Sequence, residues 1–355
     1  MNDNRKPKFS VCIPTYGRAK VLPKVVGSVL SQTFKDFELF ISDDASPDNT
    51  REVVKSFNDP RIRYHRNDKN LGVLDNWNFV ISNARGEYVF KLDDDDYIDP
   101  RYLERTAAIL DKYPEAGSVY TGFCYAKDYD GAYIEKVVDD RLFTSDKIRG
   151  IDYVMAYLMR TSVPGLHPSS AVFRYSLAKD IGFYDKVKND LMFSLALASK
   201  ADVGYVHEPL FYYVQHESAR ASYAEGKMAQ LYDFEPTRII EDFFAIDFIK
   251  ENPELMRARE GIIERERIVR SIMHLIMCRK NFKLGTYFDI ASKMIKRDRK
   301  LLRSPLFAIA FTGLIFVPKG LVESASYMFK SRKFFSSLAG TLFGKGGGKK
   351  EQTSR

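Results

Sequence analysis

Along the first half of the chain, short runs of consecutive apolar residues alternate with stretches where apolar positions recur every three or four. FSVCIP at 9–14 and FELFIS at 37–42 read as strands, and Val21, Val25, Val29 and Leu30 mark one face of a helix within 21–33. Val53, Val54 and Phe57 continue a second helix that Asp48 to Thr50 can cap, and RIRYH at 61–65 supplies a third strand. A loop at 67–72 leads into a helix carrying Trp77, Val80 and Ile81, and after Gly86 comes a fourth strand, EYVFKL at 87–92. Strands alternating with helices imply an α/β fold with a mainly parallel sheet flanked by helices, in which ligands collect at the carboxyl ends of the strands. Asp99 and Pro100 fit the cap and first turn of a helix through Leu110.

Beyond that the pattern loosens. SVYTGFCYA at 118–126 is strand-like, 145–160 helical, Ala171 to Phe173 a short apolar run among turn residues, 190–200 helical, and 203–214 strand and loop. From about residue 225 helical spacing dominates. Residues 304–318 carry no charge, yet at ~1.5 Å per residue they reach only ~22 Å, short of a ~30 Å bilayer core. With Arg299, Lys300, Arg303 and Lys319 on its flanks and Tyr327, Phe329, Phe334 and Phe335 following, the segment reads as an interfacial anchor or as an apolar helix packed on its own protein. The expected organisation is a catalytic domain (1–225), a helical extension (226–303), an apolar, membrane-associating segment (304–343) and a disordered basic tail (344–355).

Charge divides the chain in the same way. Residues 256–355 hold 22 Lys and Arg against 7 Asp and Glu, a net +15, whereas 33 against 40 leave residues 1–255 at −7. An acidic front half argues against nucleic acid as the main substrate, and a basic rear half suits an anionic membrane surface. Cys12, Cys124 and Cys278 lie far apart with no paired or metal-ligand spacing, and the polar N-terminus runs straight into a strand without a signal peptide. Together these point to the cytoplasm, with peripheral attachment to the cytoplasmic face of the plasma (inner) membrane.

The strongest chemical feature is Asp93, Asp94, Asp95 and Asp96, which end an apolar strand instead of lying in an acidic tail. Adjacent carboxylates raise each other's pKa unless a metal or basic group offsets the repulsion, so the run is either a cation site or a solvated acidic turn. In an extended segment alternate side chains share a face, which would let Asp93 and Asp95 converge while Asp94 points elsewhere. Mg²⁺ or Mn²⁺ needs only one or two such carboxylates, since waters and substrate phosphates complete the shell.

Several separate stretches now agree with one family. FSVCIPTYGR (9–18), SQTFKDFELFISDDAS (31–46), NLGV (70–73), ARGEYVFKLDDDDYIDP (84–100) and NDLMFSLALASKADVGYVHEPLFYYVQH (189–216) follow the order and spacing of glycosyltransferase family 2, which the first 220 or so residues resemble. The resemblance implies the nucleotide-sugar-binding fold called GT-A and an inverting, metal-dependent transfer from a UDP- or dTDP-sugar. It implies Asp95 as direct metal ligand, Asp93 near the ribose or metal waters, Asp94 at the nucleotide, Asp44 as acceptor of a uracil or thymine imide N–H, and Pro14 and Tyr16 lining the base. Arg18 would contact diphosphate and Asn78 matches a nucleotide-site Asn. Asp190 becomes the base that takes the acceptor's proton, His216 a further metal ligand, and His167 a residue near the acceptor. Gly17 stands where the family usually has Asn, Asn189 replaces the Glu of a Glu-Asp pair, and Asn76-Trp77-Asn78 departs from an Ala-Arg-Asn triplet.

The implied acceptor is a glycan hydroxyl, lipid-linked in view of the basic, apolar rear, as in the synthesis of cell-surface polysaccharide. The rival readings are a polyprenyl-phosphate glycosyltransferase and a catalytically inactive nucleotide-sugar-binding scaffold.

Overall fold

The computed structural model describes residues 6–129, 133–140, 142–158, 166–185, 188–215, 238–281 and 284–316. Of these, residues 6–215 and 238–260 form one compact unit and residues 261–316 a second.

The first unit opens with β1 (Phe9–Thr15), α1 (Leu22–Leu30), β2 (Phe37–Asp43), α2 (Thr50–Ser56), β3 (Ile62–Arg66), α3 (Val73–Ser82) and β4 (Tyr88–Lys91). Then come β5 (Tyr97–Ile98), α4 (Tyr102–Lys112), β6 (Ala116–Ala126), β7 (Tyr133–Val137), β8 (Lys147–Ile148) and α5 (Gly150–Leu158). After β9 (Val172–Arg174), α6 (Tyr175–Asp180), α7 (Asp190–Lys200) and β10 (Asp202–Val214), two short helices, α8 (Arg238–Ala245) and α9 (Asp247–Lys250), complete the list.

The strands form one sheet in the order β3-β2-β1-β4-β9-β6-β10-β5, with β7 on β6 and β8 on β10. β1, β2, β3 and β4 are parallel, as their alternation with helices dictates, and β6 is parallel to β10. The sheet is nevertheless mixed: β9 runs antiparallel to both β4 and β6, and β5, β7 and β8 also pair antiparallel. The three-residue β9 arises from the short apolar run Ala171–Phe173, too brief to show a direction in sequence. Residues 203–214, expected as strand and loop, are one long strand whose register shifts around Val206 and Pro209.

Both faces of the sheet are covered. α1 and α4 pack Val25, Val29, Leu103 and Leu110 against Phe9, Val11, Ile13 and Phe90 on one side. On the other, Val80 and Ile81 of α3 and Phe193, Ala196 and Leu197 of α7 pack on Cys12, Phe40, Val89 and Phe173. Alternation along β1 explains the split, since Val11 and Ile13 face one layer and Cys12 the other. α4 begins at Tyr102, two residues later than expected, because the Asp99 carboxylate accepts from Arg101 N (2.9 Å) in a turn ahead of the helix.

Gly86 marks a tight joint at the entry to β4. A Cβ there would lie 2.5 Å from Ser10 N and 2.6 Å from Phe9 C. Its own N–H donates to Ser10 Oγ at 2.8 Å, so the turn into β4 closes directly on β1.

In the second unit, α10 (Pro253–Asn281) contributes its residues from Gly261 onward, followed by α11 (Leu284–Arg297) and α12 (Pro305–Phe316). Leu275, Tyr287, Ile290, Met294, Leu301 and Phe307 form its core. The apolar helix α12 therefore packs partly on its own unit, while Ile309 on it (68 % exposed) and Leu302 just before it (59 %) face outward. Among the described residues no helix is long and apolar enough to cross a membrane.

Candidate active site

Three neighbouring parallel strands deliver polar side chains at one edge: β1 runs into Tyr16 to Arg18, β2 into Asp43 and Asp44, and β4 into the Asp run. The run does not stay extended. Asp96 N donates to Asp93 O at 3.2 Å, closing a turn through Asp94 and Asp95. Side-chain alternation is lost there, and the expected grouping changes. Asp94 and Asp95 share one side, where Arg18 meets them at 3.7 Å (Nε to Asp94) and 3.3 Å (Nη2 to Asp95). Asp93 goes elsewhere. Asp96 is buried and accepts from Val214 N at 2.9 Å, tying the turn to the end of β10.

Asp93 turns inward to Lys91, whose Nζ donates to its Oδ1 at 2.6 Å. Lys91 is 3 % exposed, in the middle of the sheet, and its ammonium lies 3.8 Å from the centre of the Trp77 ring. The same Nζ is 3.5 Å from Asp190 Oδ1. Burial works against ionisation of both Lys91 and Asp93, but each partner's charge outweighs it, so the lysine's pKa sits above its ordinary range and Asp93's below. Ser169 adds a hydrogen bond to Asp93.

Asp190 is the first residue of α7. The cap is Asn189, whose side chain accepts from Met192 N at 3.2 Å, which gives this departure from the Glu-Asp pattern a local task and leaves Asp190 uncommitted. Its carboxyl is raised by burial and then by Asp93, with Lys91 opposing. Apart from the long Lys91 contact, Oδ1 has no hydrogen-bond partner among the described residues.

The residues 10–182 match the family model described as glycosyl transferase family 2. This segment is a family 2 glycosyl transferase domain. Among curated relatives, the GalNAc(5)-diNAcBac-PP-undecaprenol β-1,3-glucosyltransferase of Campylobacter jejuni is 35 % identical over 140 residues, 37 % of this chain and 44 % of that protein. The chain spans less than half the length of such relatives. Among solved structures, residues 1–349 of Staphylococcus aureus TarS in complex with UDP-GlcNAc superpose with a TM-score of 0.59 at 20 % identity, over 92 % of this chain and 93 % of that one. The mannosyltransferase PcManGT of Pyrobaculum calidifontis, in complex with GDP-Man and Mn²⁺, gives 0.50 at 16 % identity over 92 % and 89 %. The family 2 domain thus has the GT-A architecture.

Within this glycosyl transferase domain, Tyr16 presents an aromatic ring that is 51 % exposed, held by Tyr16 N donating to Asp94 Oδ2 at 3.3 Å. Gly17 has φ +66° with open space around it. Glycine and Asn are the residues that adopt this conformation most readily, which accounts for both this chain's choice and the family's. Pro14 is a buried residue of β1 paired with Ser42. Asp44 is buried, and its carboxylate accepts from Asn67 Nδ2 (2.8 Å), Leu71 N (2.8 Å) and Gly72 N (3.0 Å). It clamps the 67–72 loop, and Asn76 joins the same network by accepting from Ser42 Oγ at 2.6 Å.

Asn78 has a different task from the one its motif position implies. Its amide donates to Tyr184 O (2.8 Å) and accepts from Tyr184 N (3.0 Å), which pins the segment ahead of α7 and commits both ends of the amide. His167 sits among Phe123, Phe211 and Tyr213, its Nδ1 lacks a partner among the described residues, and burial pushes its pKa down to about 4, so it is a neutral ring. His216 and Pro164 lie outside the described residues.

Divalent metal suits part of this edge. Burial, with the charges of Asp95 and Asp93 added, pushes the Asp94 carboxyl up to about 7, marking a place short of positive charge. Asp94 and Asp95 are hard oxygen donors, partly exposed beside Tyr16 and Arg18. Asp93 fits less well than expected, because Lys91 already holds it. Among the described residues no three His, Cys, Asp or Glu side chains converge on one point, as fits a site whose shell is completed by phosphate and water. Lys91 is not singled out from sequence, although a lysine between Phe90 and Leu92 in an otherwise apolar strand is the signal; Trp77 of α3 is its floor.

Proposed function

We propose that the protein transfers a sugar, with inversion, from a UDP- or dTDP-sugar to a hydroxyl of a lipid-linked glycan acceptor. The observation that carries this reading is the division of carboxylates at the strand edge: Asp94 and Asp95 with Arg18 on one side, and Asp190 on the other, reached through Lys91 and Asp93. The acceptor oxygen attacks the anomeric carbon, the carbon–oxygen bond to the β-phosphate breaks, and Asp190 takes the hydroxyl proton. A carboxylate whose pKa is raised is better matched to that transfer than an ordinary one.

Mn²⁺ or Mg²⁺ held by Asp95 and Asp94 would supply positive charge for the departing diphosphate. Arg18, now against those carboxylates, would then be free to contact phosphate. The exposed ring of Tyr16 offers a platform for the base, which Pro14 would also line, and Asp44 keeps one acceptor position beyond its three protein donors for an imide N–H. Binding of UDP-GlcNAc by TarS, of GDP-Man and Mn²⁺ by PcManGT, and the lipid-linked substrate in the name of the Campylobacter relative support the ligand classes.

The second unit is proposed to attach to an anionic membrane surface, on the cytoplasmic face, through the basic rear half and outward residues such as Leu302 and Ile309. A panel of nucleotide-sugars with Mn²⁺ or Mg²⁺, scored by nucleoside diphosphate release, tests the enzymatic reading. Release from a UDP- or dTDP-sugar that rises with a lipid-linked glycan acceptor is expected. Tight donor binding with no release under any combination would leave the scaffold reading in its place.

A further inference from the structure

Lys91 stands at a position where packing alone calls for an aliphatic residue. It lies on β4 between β1 and β9, in register with Cys12, in a strand whose other members are buried Tyr, Val and Phe. Removing an ammonium group from water costs several kcal/mol, and a buried ion pair rarely returns more than it costs. An apolar residue at 91 with an uncharged partner in place of Asp93 would serve stability as well or better, so the buried pair calls for another reason.

That reason is in what its single ammonium touches. It meets Asp93 at 2.6 Å, Asp190 at 3.5 Å and the Trp77 ring at 3.8 Å. Asp93 belongs to the turn after β4 and Asp190 to the start of α7, so one rigid strand residue joins the donor-side carboxylates to the candidate base. Trp77 fixes the height of the ammonium, and Tyr184, held by Asn78, packs edge-on against Trp77 with centroids 5.3 Å apart.

The two oxygens of Asp190 are also distinguished. Oδ1, the atom near Lys91, is buried, yet the side chain as a whole is 31 % exposed. The exposure therefore falls on the rest of the side chain, and Oδ2 is the oxygen left to meet an incoming hydroxyl.

We propose that Lys91 is a positioning residue for the transfer: it anchors Oδ1 of Asp190 and so sets where Oδ2 meets the acceptor relative to a donor held at Asp93 to Asp95. This rests on the reading of Asp190 as base. A misplacement of about 1 Å in such a group costs on the order of 100-fold in rate.

The test compares Lys91→Met and Lys91→Arg with the parent by steady-state transfer kinetics, and measures UDP affinity by calorimetry. Lys91→Met is expected to lower kcat about 100-fold with UDP affinity within threefold, and Lys91→Arg, which keeps the charge, to retain at least tenfold more kcat than Lys91→Met. A kcat within threefold of the parent, equal impairment by Met and Arg, or a kcat loss matched by lost UDP affinity would overturn the proposal. Lys91→Gln, which keeps a donor towards Asp93, carries the same expectation where Lys91→Met does not fold. Asp190→Asn run alongside separates the two readings. If it stays active the base assignment fails, whereas an inactive Asp190→Asn beside a fully active Lys91→Met sinks only the role of Lys91.

Discussion

Replacing Asp94 by Asn should stabilise the metal-free protein, and by an amount that depends on pH. The Asp94 carboxyl is raised from 3.8 to about 7, by burial first and then by the charges of Asp95 and Asp93. Below about pH 4 both folded and unfolded chains hold its proton, and the group contributes nothing to the difference between them. As pH rises the unfolded chain releases the proton first, the native state binds more protons, and stability falls until native Asp94 ionises near 7. At about 1.4 kcal/mol for each pH unit between the two values, the loss reaches up to about 4 kcal/mol. Asp94→Asn removes the charge but keeps an acceptor for Tyr16 N, and Arg18 retains Asp95 at 3.3 Å. Urea unfolding in EDTA, followed by the fluorescence of Trp77, the chain's single tryptophan, reads the effect directly. The variant should match the parent near pH 4 and exceed it by about 2–4 kcal/mol at pH 8. Parallel stability–pH curves would refute the reasoning, because they would mean that the acidic turn is well solvated and needs no cation.

Asp44→Ala leaves three donors of the 67–72 loop without their carboxylate and should cost about 2–4 kcal/mol in urea unfolding, since Leu71 N and Gly72 N can recover water but Asn67 is buried. At Gly17, with open space and φ +66°, Asn should be tolerated within about 0.5 kcal/mol, whereas Val should cost about 1–2 kcal/mol in the same assay. Truncation of residues 300–355 should release the protein from anionic vesicles in a flotation assay, and unchanged binding would assign attachment elsewhere.

The parallel half of the fold was legible because β1, β2 and β4 are built mainly of apolar residues and the helices between them show a clean period. Of the antiparallel strands, β5, β8 and β9 were not, since β5 and β8 have two residues each and β9 three, lengths at which periodicity carries no information. Motif spacing located Asp44, the Asp run and Asp190. It could not tell how the Asp run bends: the alternation argument assumed an extended chain, and the turn closed by Asp96 N sends Asp93 to Lys91 instead of towards Asp95. Nor could it show that the amide of Asn78 is committed to Tyr184 or that Trp77 supports an ammonium, because each depends on a partner distant in sequence.

The central claim is that the Asp run holds the leaving diphosphate while Asp190 activates the acceptor. It is tested most directly by Asp190→Asn, with nucleoside diphosphate release and UDP-sugar affinity measured on the same preparation. The expected result is transfer reduced at least 1,000-fold, at or above the upper part of the usual range for a lost general base, with donor affinity within about threefold of the parent. An Asp190→Asn protein that transfers sugar at the parental rate would contradict the account.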